Sequence, residues 1–179
     1  MESVQVKDKS FDLFISEEVI IDKIEALARH INEDLANTQP LFVCVLNGAF
    51  MFASDLMKRV KIPCEISFIR LKSYQGTCSE GKVREINGLA ESVEDRNVVI
   101  VEDIIDTGVT IKYLIEKLKR LNPASVKIAT LFLKPDALKT DVTPNYVAME
   151  IPNDFIVGYG LDYDGFGRNL RNIYKIKSC

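Results

Sequence analysis

The feature that most constrains this chain is a set of short apolar runs lacking the alternation of a half-exposed strand. LFVCVL (Leu41 to Leu46), VVIV (Val98 to Val101) and VKIATLFL (Val126 to Leu133) are apolar on both faces or nearly so. ISFIRL (Ile66 to Leu71) alternates less cleanly and is bounded by Pro63 and by a polar segment. Helical patterns lie between and before these runs. Ile20, Ile24, Leu27, Ile31 and Leu35 form one stripe, and AFMFASDLMKRV follows the first run after Asn47-Gly48. Ile111, Leu114, Ile115, Leu118 and Leu121 recur at helical spacing, with Lys117, Lys119 and Arg120 in the last turn, where they complement the helix dipole. Asn122-Pro123 stops that helix. Continuous apolar strands alternating with helices predict an α/β fold, a mainly parallel sheet covered by helices on both faces. Such a sheet binds its ligand at the carboxyl ends of its strands, so those ends are the places to search.

Composition removes several alternatives. A chain of 179 residues fits one domain that buries roughly 70% of its unfolded surface. No apolar run approaches the ~20 residues needed to span a bilayer. MESVQVKDKS has no apolar core of the secretory kind. The formal charge of −3 argues against a nucleic-acid-coating protein. Cys44, Cys64, Cys78 and Cys179 form no Cys-x-x-Cys pair, and the first two, in or beside apolar stretches, read as thiols of a reducing cytosol. A cytoplasmic location without membrane or nucleic-acid partners is therefore expected. The single histidine, His30, lies beside the first helical stripe near its polar flank and reads as a surface residue. Multi-histidine metal sites are excluded, and any metal is expected to be hard and oxygen-bound.

The strongest local signal is VVIVEDIIDTGVT, Val98 to Thr110. It reads as a buried strand ending in Glu102 and Asp103, then a turn with Asp106, Thr107 and Gly108, then a helix from Val109-Thr110. Amides at a helix start are unpaired donors, and the dipole adds roughly half a positive charge there. Gly108 would let a ligand approach the backbone, and the Thr107 and Thr110 hydroxyls add donors. Together they form a phosphate cradle. The two carboxylates suit sugar hydroxyls or Mg²⁺, so a ribose phosphate satisfies both halves. The plainer alternative is a capped helix with solvated charges at its rim. The Walker motif is excluded because Val109, and not lysine, precedes Thr110. Gly158-Tyr159-Gly160 lacks the third glycine of a dinucleotide fingerprint.

VIVEDIIDTGVT is similar to the phosphoribosyl-pyrophosphate binding segment of type I phosphoribosyltransferases. LNGAFMFASDL, IRLKSYQGT, LFLKPD and IPNDFIVGYGLDYDGFGRNL resemble, in family order from Leu41 to Leu170, the hypoxanthine(-guanine) phosphoribosyltransferases. The resemblance implies that fold, with a core of about residues 36–150, a small hood from about 1–16 and 151–179, and a mobile lid over about 72–90. It implies that Glu102 and Asp103 hold the ribose hydroxyls, directly or through Mg²⁺. Asp106, Thr107, Gly108, Val109 and Thr110 would bind the 5′-phosphate, and Asp106 would also take a proton at purine N7. Lys134 would donate to the purine 6-oxo group, Phe155 would stack on the base, and the Ile156 backbone would read its Watson–Crick edge. Asp162 would stand near the purine site and a second Mg²⁺, and Arg168 would contact pyrophosphate. Asn47 and Gly48 would give amides to pyrophosphate, and Ser73 and Tyr74 would belong to the lid. The substrates would be a 6-oxopurine and phosphoribosyl pyrophosphate, and the assembly a homodimer or homotetramer.

One departure stands in the Leu46-Asn47-Gly48 turn, where the family often has a basic side chain in place of Asn47 and often a non-proline cis peptide. Taken singly, each residue also has a plainer reading. Lys134 could be a solvated charge, Phe155 core, Asp162 and Arg168 an exposed ion pair, Ser73 and Tyr74 ordinary loop residues. Two other classes meet part of the pattern. A signalling receiver domain would need an acidic pair near the chain start, but the early strand ends in Asn-Gly. A non-catalytic nucleotide- or RNA-binding relative of the same fold would have no use for Asp106 and Lys134.

Overall fold

In the computed structural model, which describes residues 2–73 and 83–177, the apolar runs lie side by side as parallel strands. The chain opens with β1 (Ser3–Val6) and β2 (Lys9–Ile15), then α1 (Glu17–Asp34), β3 (Leu41–Leu46), α2 (Phe50–Met57), β4 (Glu65–Ser73) and β5 (Val83–Asn87). It continues through β6 (Asn97–Ile105), α3 (Val109–Lys119), β7 (Ser125–Leu133), β8 (Tyr146–Glu150), β9 (Ile156–Val157) and β10 (Ile173–Ile176). The main sheet has the order β5-β4-β3-β6-β7-β8. Five of its strands are parallel, and β5 returns antiparallel along β4 at the edge. A second sheet, order β1-β2-β10-β9, is wholly antiparallel and joins the two ends of the chain. The α/β architecture with a small terminal sheet is as expected.

Strand alternation sorts the core. Phe42, Cys44, Val99 and Val101 face α1 and α2, where they meet Ile20, Ile24, Leu27, Ile31, Phe52 and Leu56. Val43, Val45, Val98 and Ile100 face the other way, against Ile111, Leu114 and Leu118 of α3. Both faces of the central strands are thus dry, which is why their sequences are continuously apolar. His30 is exposed on α1, as its place on the stripe predicts.

Two local expectations change. The strand expected to end in Glu102 and Asp103 runs on to Ile105, because its register with β7 persists through Glu102↔Thr130, Ile104↔Phe132 and Ile105↔Leu133. Glu102 and Asp103 are therefore strand residues and not rim charges. The polar stretch after Leu71 also contains β5, held by pairing to β4 and not by any apolar pattern of its own.

The chain leaves β3 for β4 on one side of the sheet, and then returns to place β6 on the other side of β3. Connections depart in opposite directions there and open a crevice between the carboxyl ends of β3 and β6.

Candidate functional site

Both strands that flank this crevice deliver polar groups into it. From β6 come Glu102 and Asp103, only 7% and 9% exposed. From β3 comes the Leu46-Asn47-Gly48 turn, with a cis Leu46–Asn47 peptide and an exposed Asn47. A Cβ on Gly48 would fall 1.5 Å from Asp103 Oδ2, so only glycine lets the turn lie directly on that carboxylate. Gly160 in turn packs on the Gly48 carbonyl. Arg168 Nη1 donates to Gly160 O at 2.6 Å, and its guanidinium pairs with Asp162 at 2.6 Å.

Electrostatically the buried carboxylate pair is costly. Burial pushes the Glu102 carboxyl well above its ordinary 4.5, and the adjacent Asp103 charge pushes it further. Burial also raises Asp103, partly offset by hydrogen bonds from Glu102 and from the Ile104 amide and by the field of Arg168. Asp103 Oδ1 accepts the Ile104 N–H at 2.8 Å. Beneath the pair, burial and these same two carboxylates drive the Cys44 thiol up to about 12, which makes it unreactive. A carboxylate pair kept dry in this way gains from any ligand bearing hydroxyl donors or a hard cation.

After Ile105 the chain turns through Asp106, Thr107 and Gly108 into α3. Gly108 takes the left-handed region, φ +79°, and a Cβ there would also fall 2.2 Å from Thr140 Oγ1. The Cβ direction at Gly108 is thus closed by Thr140. The loop after β7 braces the turn, since the Lys139 N–H donates to Thr107 O at 3.0 Å. Thr140 Oγ1 is buried without a hydrogen-bond partner among the described residues. This bracing had no signal in the sequence, where Lys139 and Thr140 look like ordinary loop residues. The first-turn amides of α3 and the half-buried Thr107 and Thr110 remain directed to the crevice end of the sheet.

Lys134, at the end of β7, is 6% exposed, and its Nζ lies 3.4 Å from Asp106 Oδ2. A buried ammonium is normally paired, and here Asp106 is its one side-chain partner among the described residues, itself about half exposed. The solvated-charge alternative for Lys134 does not hold. Next in sequence, the Ile151 N–H donates to Leu133 O at 2.9 Å, so the segment leading to β9 starts beside Lys134.

Just before β9, Phe155 is 47% exposed and is no core residue. Its carbonyl accepts the Ile176 N–H, which sets the alternation along β9: Phe155 and Val157 face β10, and Ile156 turns its N–H and C=O to the outer edge of the sheet. Asp162 has both oxygens engaged, one by Arg168 and the other by the Gly165 N–H at 2.6 Å. Tyr159 OH donates to Asp55 Oδ2 of α2 at 2.5 Å, a tie between hood and core that sequence reasoning missed. Ser73 ends β4, while Tyr74 lies outside the described residues.

A change that removes one charge of the pair, Glu102→Gln, is expected to stabilise the fold by about 0.5–2 kcal/mol while weakening affinity for ribose 5-phosphate. The sign follows from linkage: the raised carboxyl binds a proton more tightly folded than unfolded, so wild type loses stability as pH rises through its folded pKa. Denaturant midpoints at pH 5 and pH 8 should show the larger gain at pH 8; an equal or reversed difference contradicts the burial penalty.

Known proteins resemble this chain over most of its length. The phosphoribosyl transferase domain family model matches residues 15–164. The chain is 42% identical over 166 residues to a hypoxanthine-guanine phosphoribosyltransferase of Streptococcus thermophilus, covering 92% of each. A crystal structure of a hypoxanthine-guanine phosphoribosyltransferase from Bacillus anthracis superposes with a TM-score of 0.88 at 38% identity, over 93% of this chain and 98% of that one. A hypoxanthine phosphoribosyltransferase from Staphylococcus aureus gives 0.89 at 38%, over 93% and 91%.

Proposed function

The chain belongs to the phosphoribosyltransferase family, in its hypoxanthine-guanine branch, and from that premise we propose how its residues divide the reaction among themselves. The reaction is one of purine salvage. A 5-phosphoribosyl group passes from phosphoribosyl pyrophosphate to N9 of hypoxanthine or guanine, giving IMP or GMP and pyrophosphate.

Positive charge builds on the sugar as pyrophosphate leaves, as at other glycosidic centres. Glu102 and Asp103 hold the ribose 2′- and 3′-hydroxyls, whose donors relieve the buried pair. The amides and hydroxyls from Asp106 to Thr110 seat the 5′-phosphate at the start of α3. Amides of Asn47 and Gly48 together with Arg168 take pyrophosphate; Asn47 brings no charge, so Arg168 carries that electrostatic share. Asp106 faces purine N7 and removes its proton, while Lys134 complements the charge that moves onto the 6-oxo oxygen. The observation that carries this reading is the Lys134–Asp106 pair at 3.4 Å beside the dry carboxylates. An entering 6-oxopurine offers both members a better partner, an oxygen acceptor for the ammonium and a ring nitrogen for the carboxylate. Phe155 stacks on the base, the outward Ile156 backbone reads its edge, and Asp162 holds Arg168 in place next to that pocket. Ser73 and Tyr74 belong to the lid, which keeps water from the oxocarbenium-like sugar.

Mg²⁺ is part of the proposal. Glu102 and Asp103 supply hard oxygen donors, and no group of three or more His, Cys, Asp or Glu among the described residues forms an all-protein cage. That donor set suits an ion that keeps waters and takes substrate oxygens. When bound, Mg²⁺ supplies charge neutralisation of the leaving pyrophosphate. Asp162 is the weaker candidate ligand, because Arg168 and Gly165 already occupy both its oxygens. Self-association into a dimer or tetramer is also proposed, supported by Ile66 and Phe68, two exposed apolar residues on one face of β4. A cytoplasmic setting is supported by the free, buried Cys44, and no described helix is long and apolar enough to cross a membrane.

Asp106→Asn should leave ribose 5-phosphate affinity largely intact and lower turnover by about 10²–10⁴. Steady-state rates beside ligand titration decide it, and unchanged turnover removes Asp106 from proton transfer. Lys134→Gln should narrow the preference for hypoxanthine over adenine by about tenfold or more in kcat/KM, since a buried donor to the 6-oxo group is lost. An unchanged ratio refutes the role given to Lys134.

A further inference from the structure

The tip of the β1–β2 hairpin is the two-residue turn Lys7-Asp8, distant in sequence from every residue assigned above. It reaches a second tight turn, Tyr163 to Phe166, whose backbone closes through Tyr163 N–H to Phe166 O at 2.9 Å and its reciprocal at 3.0 Å. Both limbs of this turn are held from the hairpin. Tyr163 OH donates to Asp8 Oδ1 at 3.0 Å, and Lys7 Nζ pairs with Asp164 and lies 5.3 Å from the centre of the Phe166 ring. The Asp8 bond raises the Tyr163 phenol pKa and lowers that of the Asp8 carboxyl.

Tyr163 also meets the base platform. Its ring stands edge-on to Phe155, centroids 5.9 Å apart and planes at 87°. Fully buried Phe11, on β2, backs both rings at 6.2 Å. Phe155 is about half exposed, and these two rings are its aromatic neighbours among the described residues. A stacking plate that rotates freely loses orientation entropy each time a base binds. An edge-on aromatic neighbour removes that freedom in advance.

We propose that Tyr163 is a positioning residue for purine binding: it fixes the Phe155 ring edge-on and is itself anchored by Asp8 of the N-terminal hairpin. The inference rests on the reading of Phe155 as the base platform. It predicts that the hairpin tip tunes purine affinity without touching the sugar-phosphate site.

The test is initial-rate kinetics of the full chain, with hypoxanthine and phosphoribosyl pyrophosphate varied separately, for Phe155→Leu, Tyr163→Leu, Tyr163→Phe, Asp8→Ala and the Tyr163→Phe/Asp8→Ala double variant. Phe155→Leu should raise the hypoxanthine KM about tenfold or more, and Tyr163→Leu about five- to tenfold, with the phosphoribosyl pyrophosphate KM within about twofold of wild type. Tyr163→Phe and Asp8→Ala should each raise the hypoxanthine KM about two- to threefold, and the double variant no further, because they break the same bond. Should Phe155→Leu raise the hypoxanthine KM while every Tyr163 and Asp8 variant leaves it unchanged, the platform stands and the positioning role is overturned. KM values for both substrates rising together overturn it too, since that marks general loosening. If Phe155→Leu itself has no effect, the platform reading fails first and takes this inference with it. Tyr163→Phe removes only an exposed hydrogen bond, and Asp8→Ala that bond and an exposed ion pair with Lys9, so they decide the matter even if Tyr163→Leu fails to fold.

Discussion

Two neighbouring carboxylates held out of water at the end of the central strand are the constraint around which the rest is arranged. Glu102 and Asp103 are there because β6 keeps its register with β7 past the last continuous apolar residues, so two charged side chains enter the dry layer of the sheet. Their raised pKa values measure what the fold gives up to keep them there. Nothing in packing repays that cost. On the proposed reading the offset comes from a ligand rich in hydroxyl donors or accompanied by a hard cation. The site is therefore destabilised before its substrate arrives, which is how binding energy becomes available at the reacting sugar.

Topology then decides what else can reach the ligand. The reversal of strand order between β3 and β6 puts the Asn47-Gly48 turn against Asp103, with room made by the missing side chain of Gly48. The same strand order sets β7 next to β6, so that Lys134 and Asp106, far apart in sequence, emerge side by side. The terminal sheet closes the other flank through Gly160 on Gly48 and through Tyr159 on Asp55. On the proposed reading, sugar, phosphate, leaving group and base are met by four different segments converging on one crevice, each delivered by a rigid element. This is the preorganisation that an oxocarbenium-like transition state demands.

The central strands and three helices were legible because burial on both faces leaves an unbroken apolar signature, as in Leu41–Leu46, and because amphipathic stripes such as Ile111-Leu114-Leu118 have a period of their own. The turn before α3 was legible for a similar reason: an acidic pair, a glycine and threonines at a strand–helix junction are a local chemical pattern. What failed to show had no local pattern. The extension of β6 depends on pairing with Phe132 and Leu133 of another strand, and β5 exists only because β4 lies beside it. The two-residue β9 and the β2–β10 pairing join chain ends by register alone. The left-handed backbone of Gly108 and its closeness to Thr140 likewise depend on a distant loop and had no local signal. Family resemblance named Phe155 and Ile156; the structure adds why one is free on a face and the other on an edge.

The most direct measurement is a crystal structure with IMP bound. The expected result is a 5′-phosphate on the amides and hydroxyls of Thr107 to Thr110, the ribose hydroxyls on Glu102 and Asp103, and the base between Phe155 and Lys134. A nucleotide bound elsewhere, with the turn before α3 empty and the two carboxylates untouched, would contradict the site and the chemistry assigned to it.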